Sequence, residues 1–307
     1  MAAGISSTDI AFEGLRLVRE RPKAVLFWAG LLLAFGVVMA VIMITMAGEA
    51  MTRMTELQAS SNPDPQAVMA VMGEVAPAYA VLLVPMVLVY GVLYAAINRT
   101  VLRPSEGGPG FLRFGGDELR QIGVLVLFYL LVGGVYMLGA VLLTLIGALL
   151  GAALGAAAAG LIAIVGILAA AGFALYVGVR LSLCSPMTFV EGRVRLLASW
   201  SLTRGRFWPL FGGYLLAVAL MVVISLLALT VLGAVAAAVG GGLEGLGRIF
   251  RPDFSSLGAY FSPVGIVTAL FNAGIGALVL ALSVGAAAEA YRQIAGTSPE
   301  EAAQTFD

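Results

Sequence analysis

Residues 121–179, QIGVLVLFYLLVGGVYMLGAVLLTLIGALLGAALGAAAAGLIAIVGILAAAGFALYVGV, carry no charged side chain. As a single helix this segment would be about 90 Å long, at a rise of about 1.5 Å per residue. The hydrocarbon core of a bilayer is only about 30 Å thick, so the segment predicts two membrane spans joined by a turn. We expect the turn within residues 145–160, where Gly147, Gly151 and Gly155 recur at i, i+4 spacing and let two helices approach closely.

The composition of the whole chain agrees with this reading. Hydrophobic residues make up 61% of the sequence, charged residues 11%, and the mean hydropathy is +1.03. A soluble domain carries about 25% charged residues, so a chain this apolar needs lipid as part of its solvent. The net charge of zero argues against a nucleic-acid partner.

Apolar runs predict an all-α membrane protein with six transmembrane helices in a single polytopic domain, residues 1–307. The first run is too long for the apolar core of a signal peptide, about 7–15 residues, and is expected to be retained. All basic residues except Arg53, Arg248 and Arg251 flank the same ends of the spans, which predicts that both termini are cytoplasmic. The predicted spans are residues 24–47, 75–98, 121–146, 154–179, 209–238 and 263–288.

Three similar units follow one another along the chain. Each begins with an amphipathic basic segment and continues into a hairpin of two spans, and each ends with a Tyr, then an Arg, then a Pro. The entrance segments are residues 11–23, 111–120 and 191–208, and the exit segments are residues 94–104, 176–186 and 291–299. We therefore predict three hairpin repeats, ringed by cytoplasmic amphipathic helices that lie in the membrane interface.

The first of these amphipathic helices is expected over residues 5–21, with Ser6 as its cap. Pro22 is expected to break or kink the chain before the first span. The apolar face of the helix consists of Ile10, Ala11, Gly14, Leu15 and Val18.

Residues 180–208, RLSLCSPMTFVEGRVRLLASWSLTRGRFW, carry the most specific pattern in the chain. An Arg stands at the end of a span and is followed by a Pro and then by a short apolar run that ends in Glu-Gly. A helical segment comes next, and it is followed by Phe-Trp. This pattern resembles the glycerophosphoryl diester phosphodiesterase membrane-domain family, related to the YciC-like proteins. The matching positions are Arg180, Pro186, Glu191, Gly192, Ser199, Trp200, Leu202, Thr203, Arg204, Gly205, Phe207 and Trp208.

The resemblance implies a bacterial inner-membrane module that acts in envelope or lipid homeostasis. The soluble phosphodiesterase domain that gives the family its name is absent from this chain. The metal-binding His residues of that enzyme have no counterpart, because the sequence contains no His.

The lack of His also excludes Ser-His-Asp catalysis and His-ligated zinc or haem. The single cysteine, Cys184, cannot form an intramolecular disulfide. We therefore expect no enzymatic activity, no cofactor and no metal site.

The candidate functional residues lie at the predicted cytoplasmic boundary, where each basic residue contributes about 1 kcal/mol near an anionic surface. We expect them to contact anionic phospholipid headgroups, a protein partner or a second copy of the chain. Glu191 is expected to pair with Arg193, Arg195 or an exit arginine. These candidates are Arg99, Arg180, Glu191, Arg193, Arg195, Trp200, Arg204, Arg206, Trp208 and Arg292.

Two polar residues stand out within the last span. Asn272 is expected to face the bundle, where its side chain either forms a hydrogen bond to another helix or contacts a substrate. Glu289 is expected to form a local ion pair with Arg292.

The leading functional hypothesis is a non-enzymatic membrane module that binds or organises lipid. The alternative is a transporter or lipid translocator with a central groove, which predicts a cavity near Asn272 and Pro85.

Overall fold

A computed structural model of the chain describes residues 5–60, 62 and 64–296, of which 58, 59, 152–154 and 156 are described by their backbone alone. Helices and their connecting turns account for these residues, and no strand occurs among them. Pro299, the last residue of the third exit segment, lies outside this range. The helices are α1 (Ser7–Glu20), α2 (Pro22–Ala59), α3 (Pro65–Leu102), α4 (Gly116–Leu154), α5 (Ala156–Leu181), α6 (Cys184–Glu191), α7 (Ala198–Leu202), α8 (Phe207–Gly240), α9 (Leu243–Phe250), α10 (Leu257–Tyr260) and α11 (Pro263–Ala295), with a 3₁₀ turn at Pro109–Phe111.

Six helical stretches are long and apolar enough to cross a membrane, which confirms the prediction of a multi-pass membrane protein. Their outward side chains are large and apolar, as lipid contact requires; Leu130 and Leu168, for example, are exposed. The six stretches are Pro22–Leu57, Pro65–Leu102, Gly116–Gly151, Ala157–Glu191, Phe207–Gly240 and Pro263–Ala295.

Helices α2 and α3 are longer than the apolar runs that predict them. Each has 38 residues, about 57 Å of helix. The described residues between 48 and 74 belong mostly to these two helices, because Ala47 and Ala50 of α2 pack with Val71 and Val75 of α3 and continue the helix pair. Only residues 60–64 separate the helices, where Asp64 accepts a hydrogen bond from the Gln66 amide at 2.9 Å and caps α3.

Helices α4 and α5 form a second pair and pack mainly on each other. The turn between them falls at Gly155, inside the predicted interval, with a φ of 92° that glycine adopts without a steric penalty. Gly147 and Gly151 face α5 so closely that a Cβ at Gly151 would stand 2.2 Å from the Cβ of Ala159.

Helix α11 lies at the centre of the fold and touches α1, α2, α3 and α8. Its small-residue face, Ala273, Ala277, Ala281 and Gly285, is buried. Helix α1 crosses this face at Gly14, where a Cβ would lie 2.3 Å from the Cα of Leu282. One side of α1 is therefore covered by protein, since Ile10 and Ala11 have no exposed surface.

Candidate functional site

Arg99 forms a buried ion-pair network near the end of α3. Its guanidinium lies 2.7 Å from Glu118, and both side chains are 2% exposed. It also donates to the carbonyl oxygen of Phe111 at 2.7 Å, and oxygens of Glu106 and Asp117 lie 3.5 Å away. A buried charge needs such partners. Arg99, expected at a lipid headgroup, is thus enclosed by protein and ties α3 to the start of α4.

A neutral polar cluster adjoins this network. Gln121 donates to the carbonyl oxygen of Ser185 at 2.9 Å and accepts from the Ser185 hydroxyl at 2.8 Å. Asn98 donates to the same hydroxyl at 2.9 Å. All three side chains are buried, and the Oδ1 atom of Asn98 has no hydrogen-bond partner among the described residues.

Arg180 is also committed to protein. Its guanidinium donates to the carbonyl oxygen of Trp200 at 2.8 Å and lies 4.8 Å from the centre of the Trp200 ring. The hydroxyls of Ser199 and Thr203 donate to the carbonyl oxygen of Arg180 at 3.0 and 2.9 Å, which satisfies the end of α5. Residues 198–203 are thereby fixed against the exit of α5.

Arg292 forms the expected pair with Glu289, which is buried. Gln293 donates to Glu289 at 2.8 Å and accepts a hydrogen bond from the backbone amide of Ser6 at 2.9 Å. Because α1 crosses α11 here, burial and the nearby negative charge of Glu289 raise the pKa of Glu13.

The remaining candidates at this end are more accessible. Glu191 lies 2.6 Å from Arg195 and 3.5 Å from Arg193, so it pairs with both. Arg204 and Arg206 are exposed, and the Trp208 side chain is 75% exposed. These side chains offer the free surface that Arg99 and Arg180 lack.

An open cleft lies between α3, α4, α5, α8 and α11. It consists of two adjoining cavities of about 290 and 490 Å³ that share Tyr94, Leu125 and Tyr129. Ligand sites commonly have volumes of about 300–1,000 Å³. The described residues that line the cleft include no charged side chain, and its polar atoms come mainly from hydroxyls. These belong to Tyr90, Tyr94, Tyr129, Ser182, Ser185, Tyr214 and Ser283.

The hydroxyl residues Ser182, Ser185, Tyr214 and Ser283 line the cavity of about 290 Å³, which forms one end of the cleft. The hydroxyl oxygens of Ser182 and Tyr214 lie 2.8 Å apart. Ser185 connects this end to the buried amides of Asn98 and Gln121. The cleft therefore combines an apolar wall with a hydrogen-bonding end.

Asn272 does not face the bundle, contrary to the sequence prediction. It is exposed and lines a separate cavity of about 460 Å³, the far cavity. Its neighbour Ala273 belongs to the buried small-residue face, and consecutive residues of a helix point about 100° apart. The face that packs is therefore the alanine face, and the amide is turned away from it.

Some of these groups escaped the sequence reading. Glu118 and Gln121 gave a usable signal, because both are polar residues at the start of an apolar helix. Glu13 gave none, since it lies at the opposite end of the sequence from Glu289 and meets that residue only through the α1–α11 crossing.

Comparisons with protein-family models, with curated proteins and with solved structures find no match to this chain, so the resemblance of residues 180–208 to a known family stays a prediction.

Proposed function

We propose that this chain is a non-enzymatic membrane module that binds lipid, with the cleft holding uncharged parts of the lipid. The main support is the lining of the cleft, which is apolar apart from hydroxyl groups and a thiol and carries no charge among the described residues. Hydrocarbon chains suit such a wall, and glycerol or ester oxygens suit its hydroxyl end.

The aromatic and basic residues beside α5 and α8 extend this proposal to the headgroup. Tyr176 contacts Phe207 at 5.1 Å and Trp200 at 5.8 Å between ring centres, and aromatic rings of this kind are enriched at membrane interfaces. The exposed Arg204 and Arg206 lie between Trp200 and Phe207 in the chain. An anionic headgroup held there fits the expected preference for anionic phospholipid.

Three contacts support the proposed threefold repeat. The first exit arginine, Arg99, binds the second entrance segment, and Arg180 binds the third. The third exit closes the ring, because Gln293 binds the backbone at Ser6, just before α1. With the positive-inside rule, this ring belongs at the cytoplasmic face of a bacterial inner membrane, as the family resemblance implies.

The cleft is tested with two matched glycine substitutions in α5. Gly178 lines the cleft and Gly172 is exposed, and a Cβ built on either one meets no atom within 4 Å. Gly178→Leu is expected to fill the cleft and release co-purifying lipid, measured by native mass spectrometry. Gly172→Leu is the control and should retain it. Equal lipid retention in the two variants contradicts the proposal.

A lipid translocator is the second candidate. It is favoured by cavities near Pro85 and Asn272, the two positions where a transport groove is expected from the sequence. The cleft is lined by Met86 and Val87, next to Pro85, and the far cavity is lined by Asn272. Translocation predicts that the purified protein accelerates the loss of inner-leaflet fluorescent lipid to an external quencher in proteoliposomes. Rates equal to those of protein-free vesicles exclude this candidate.

A further inference from the structure

The far cavity lies at the end of the bundle opposite Arg99, Arg180 and Arg292. Its wall includes residues 248, 249 and 251–253, then Tyr260 and Ser262, and finally one face of α11 formed by Gly265, Thr268, Ala269 and Asn272. The α11 positions follow the i, i+3, i+4, i+7 pattern of one helix face. From Ser262 to Asn272 this face descends about 15 Å.

The position of Asn272 favours a polar occupant of the far cavity. The residue lies in a membrane-spanning helix, and its amide forms no hydrogen bond within the described part of the chain. An amide left without a partner in hydrocarbon costs several kcal/mol. Asn272 therefore points to water or a polar ligand inside the far cavity.

The charges around the cavity have both signs. Arg251 is exposed and forms no ion pair among the described residues, and Arg248 pairs at 2.7 Å with Glu244 in a largely exposed contact worth little energy. Hydrogen bonds from Ser255, one of them from its backbone amide at 2.9 Å, lower the pKa of Asp253. Two guanidinium groups and one ionised carboxylate thus lie around one cavity.

We propose that the far cavity binds the headgroup of a zwitterionic phospholipid, with its phosphate at Arg248 and Arg251 and its amine at Asp253. Guanidinium groups bind phosphate through paired hydrogen bonds, and a carboxylate and an aromatic ring in one cavity, here Asp253 and Tyr260, suit an ammonium group. Asn272 and Thr268 lie deeper on α11, at the level of the lipid's ester oxygens.

Exposed apolar side chains on α9 and α10, the helices before and after residues 251–253 of the cavity wall, favour a lipid over a soluble zwitterion. Leu243 is 85% exposed and Phe250 is 66% exposed on α9, and Leu257 is exposed on α10. Exposed apolar side chains on the helices that carry a polar cavity are typical of a membrane-contacting surface. This inference rests on the proposed lipid-binding function but names a headgroup class and a second site, apart from the cleft.

Lipid retention by purified variants tests the proposal, with phosphatidylethanolamine, phosphatidylglycerol and diacylglycerol as probes and native mass spectrometry as the readout. Arg251→Gln is expected to lower phosphatidylethanolamine retention about tenfold, the usual effect of losing a charged hydrogen bond. Asp253→Asn is expected to weaken phosphatidylethanolamine and to spare phosphatidylglycerol, which has no amine. Arg53→Gln, at the exposed pair with Glu74, is the control and should match the unmodified protein.

The outcomes separate the possibilities. Retention by Arg251→Gln equal to that of Arg53→Gln overturns the proposal, and so does equal loss of both phospholipids on Asp253→Asn. Complete competition by soluble phosphoethanolamine supports the headgroup chemistry and makes the source a soluble compound. Gly178→Leu should remove lipid from the cleft alone. If this variant keeps all its lipid, the result contradicts lipid binding in the cleft and does not affect the proposal for the far cavity.

Discussion

At the residue scale, the arginines of this chain fall into two groups. Arg99 and Arg180 are buried and bind protein, whereas Arg204 and Arg206 are exposed. The sequence predicts that all four lie near one membrane face, because position relative to a span is a local property. Burial depends on which distant segment covers each side chain, and a local pattern does not contain that information.

The Arg99–Glu118 pair predicts a large loss of stability when one partner is removed. Arg99→Ala leaves the Glu118 carboxylate buried without its partner at 2.7 Å, which costs about 3–5 kcal/mol. Thermal unfolding in detergent, followed by tryptophan fluorescence, measures the change. Arg113→Ala removes the exposed pair with Glu106 and should cost less than about 1 kcal/mol. Similar unfolding midpoints for the two variants would show that the buried Arg99–Glu118 pair does not stabilise the fold more than an exposed pair does.

The raised pKa of Glu13 predicts that the folded protein becomes less stable as the pH rises. Burial and the charge of Glu289 raise its pKa above the ordinary value of 4.5, so the folded protein binds this proton more tightly than the unfolded chain does. The contribution is complete below pH 4.5 and is lost as the pH rises through the folded pKa. Glu13→Gln should therefore melt higher than the unmodified protein at pH 7 and equally at acidic pH. A difference that is constant with pH would assign the effect to something other than this proton.

At the element scale, helix α1 illustrates what periodicity predicts and what it leaves open. The helix and its Ser6 cap were predicted within one or two residues, and Ile10, Ala11 and Gly14 of the predicted face are buried. Leu17 is buried as well, while Leu15 and Val18 are only partly so. The pattern predicts a face; it does not predict that α8 and α11 cover it.

The crossing of α1 over α11 depends on Gly14. A Cβ there would lie 2.3 Å from the Cα of Leu282, and backbone atoms cannot move aside as a flexible side chain can. Gly14→Ala should force the helices apart and lower the free energy of unfolding by about 1–3 kcal/mol. Gly30→Ala in α2, where a Cβ meets nothing within 4 Å, should be neutral or slightly stabilising. Equal melting of the two variants would mean that α1 is not held at this crossing.

At the scale of the whole molecule, the number of spans was predictable and the cavities were not. Charge-free length alone requires six crossings, since each apolar run must match the bilayer. The cleft depends on how the α4–α5 pair packs against α3 and α8, which no local pattern in the sequence determines. The far cavity depends on residues 248–262 folding back over α2 and α11, where Phe254 packs against the cluster that contains Met43, Ala47 and Ala50 of α2. Neither arrangement has a periodic signature.

Orientation in the membrane is the remaining whole-molecule prediction. Basic residues concentrate at one end of the bundle, so that end should face the cytoplasm. In a Cys184→Ala background, Ser60→Cys lies between α2 and α3 at the far end, and Arg193→Cys lies between α6 and α7 at the basic end; both positions are exposed. A membrane-impermeant maleimide should label Ser60→Cys in intact spheroplasts and Arg193→Cys only after lysis. The unmodified protein provides the control, because Cys184 is 2% exposed and should label only after denaturation. Labelling of Arg193→Cys in intact spheroplasts would reverse the orientation and, with it, the leaflet assigned to each lipid site.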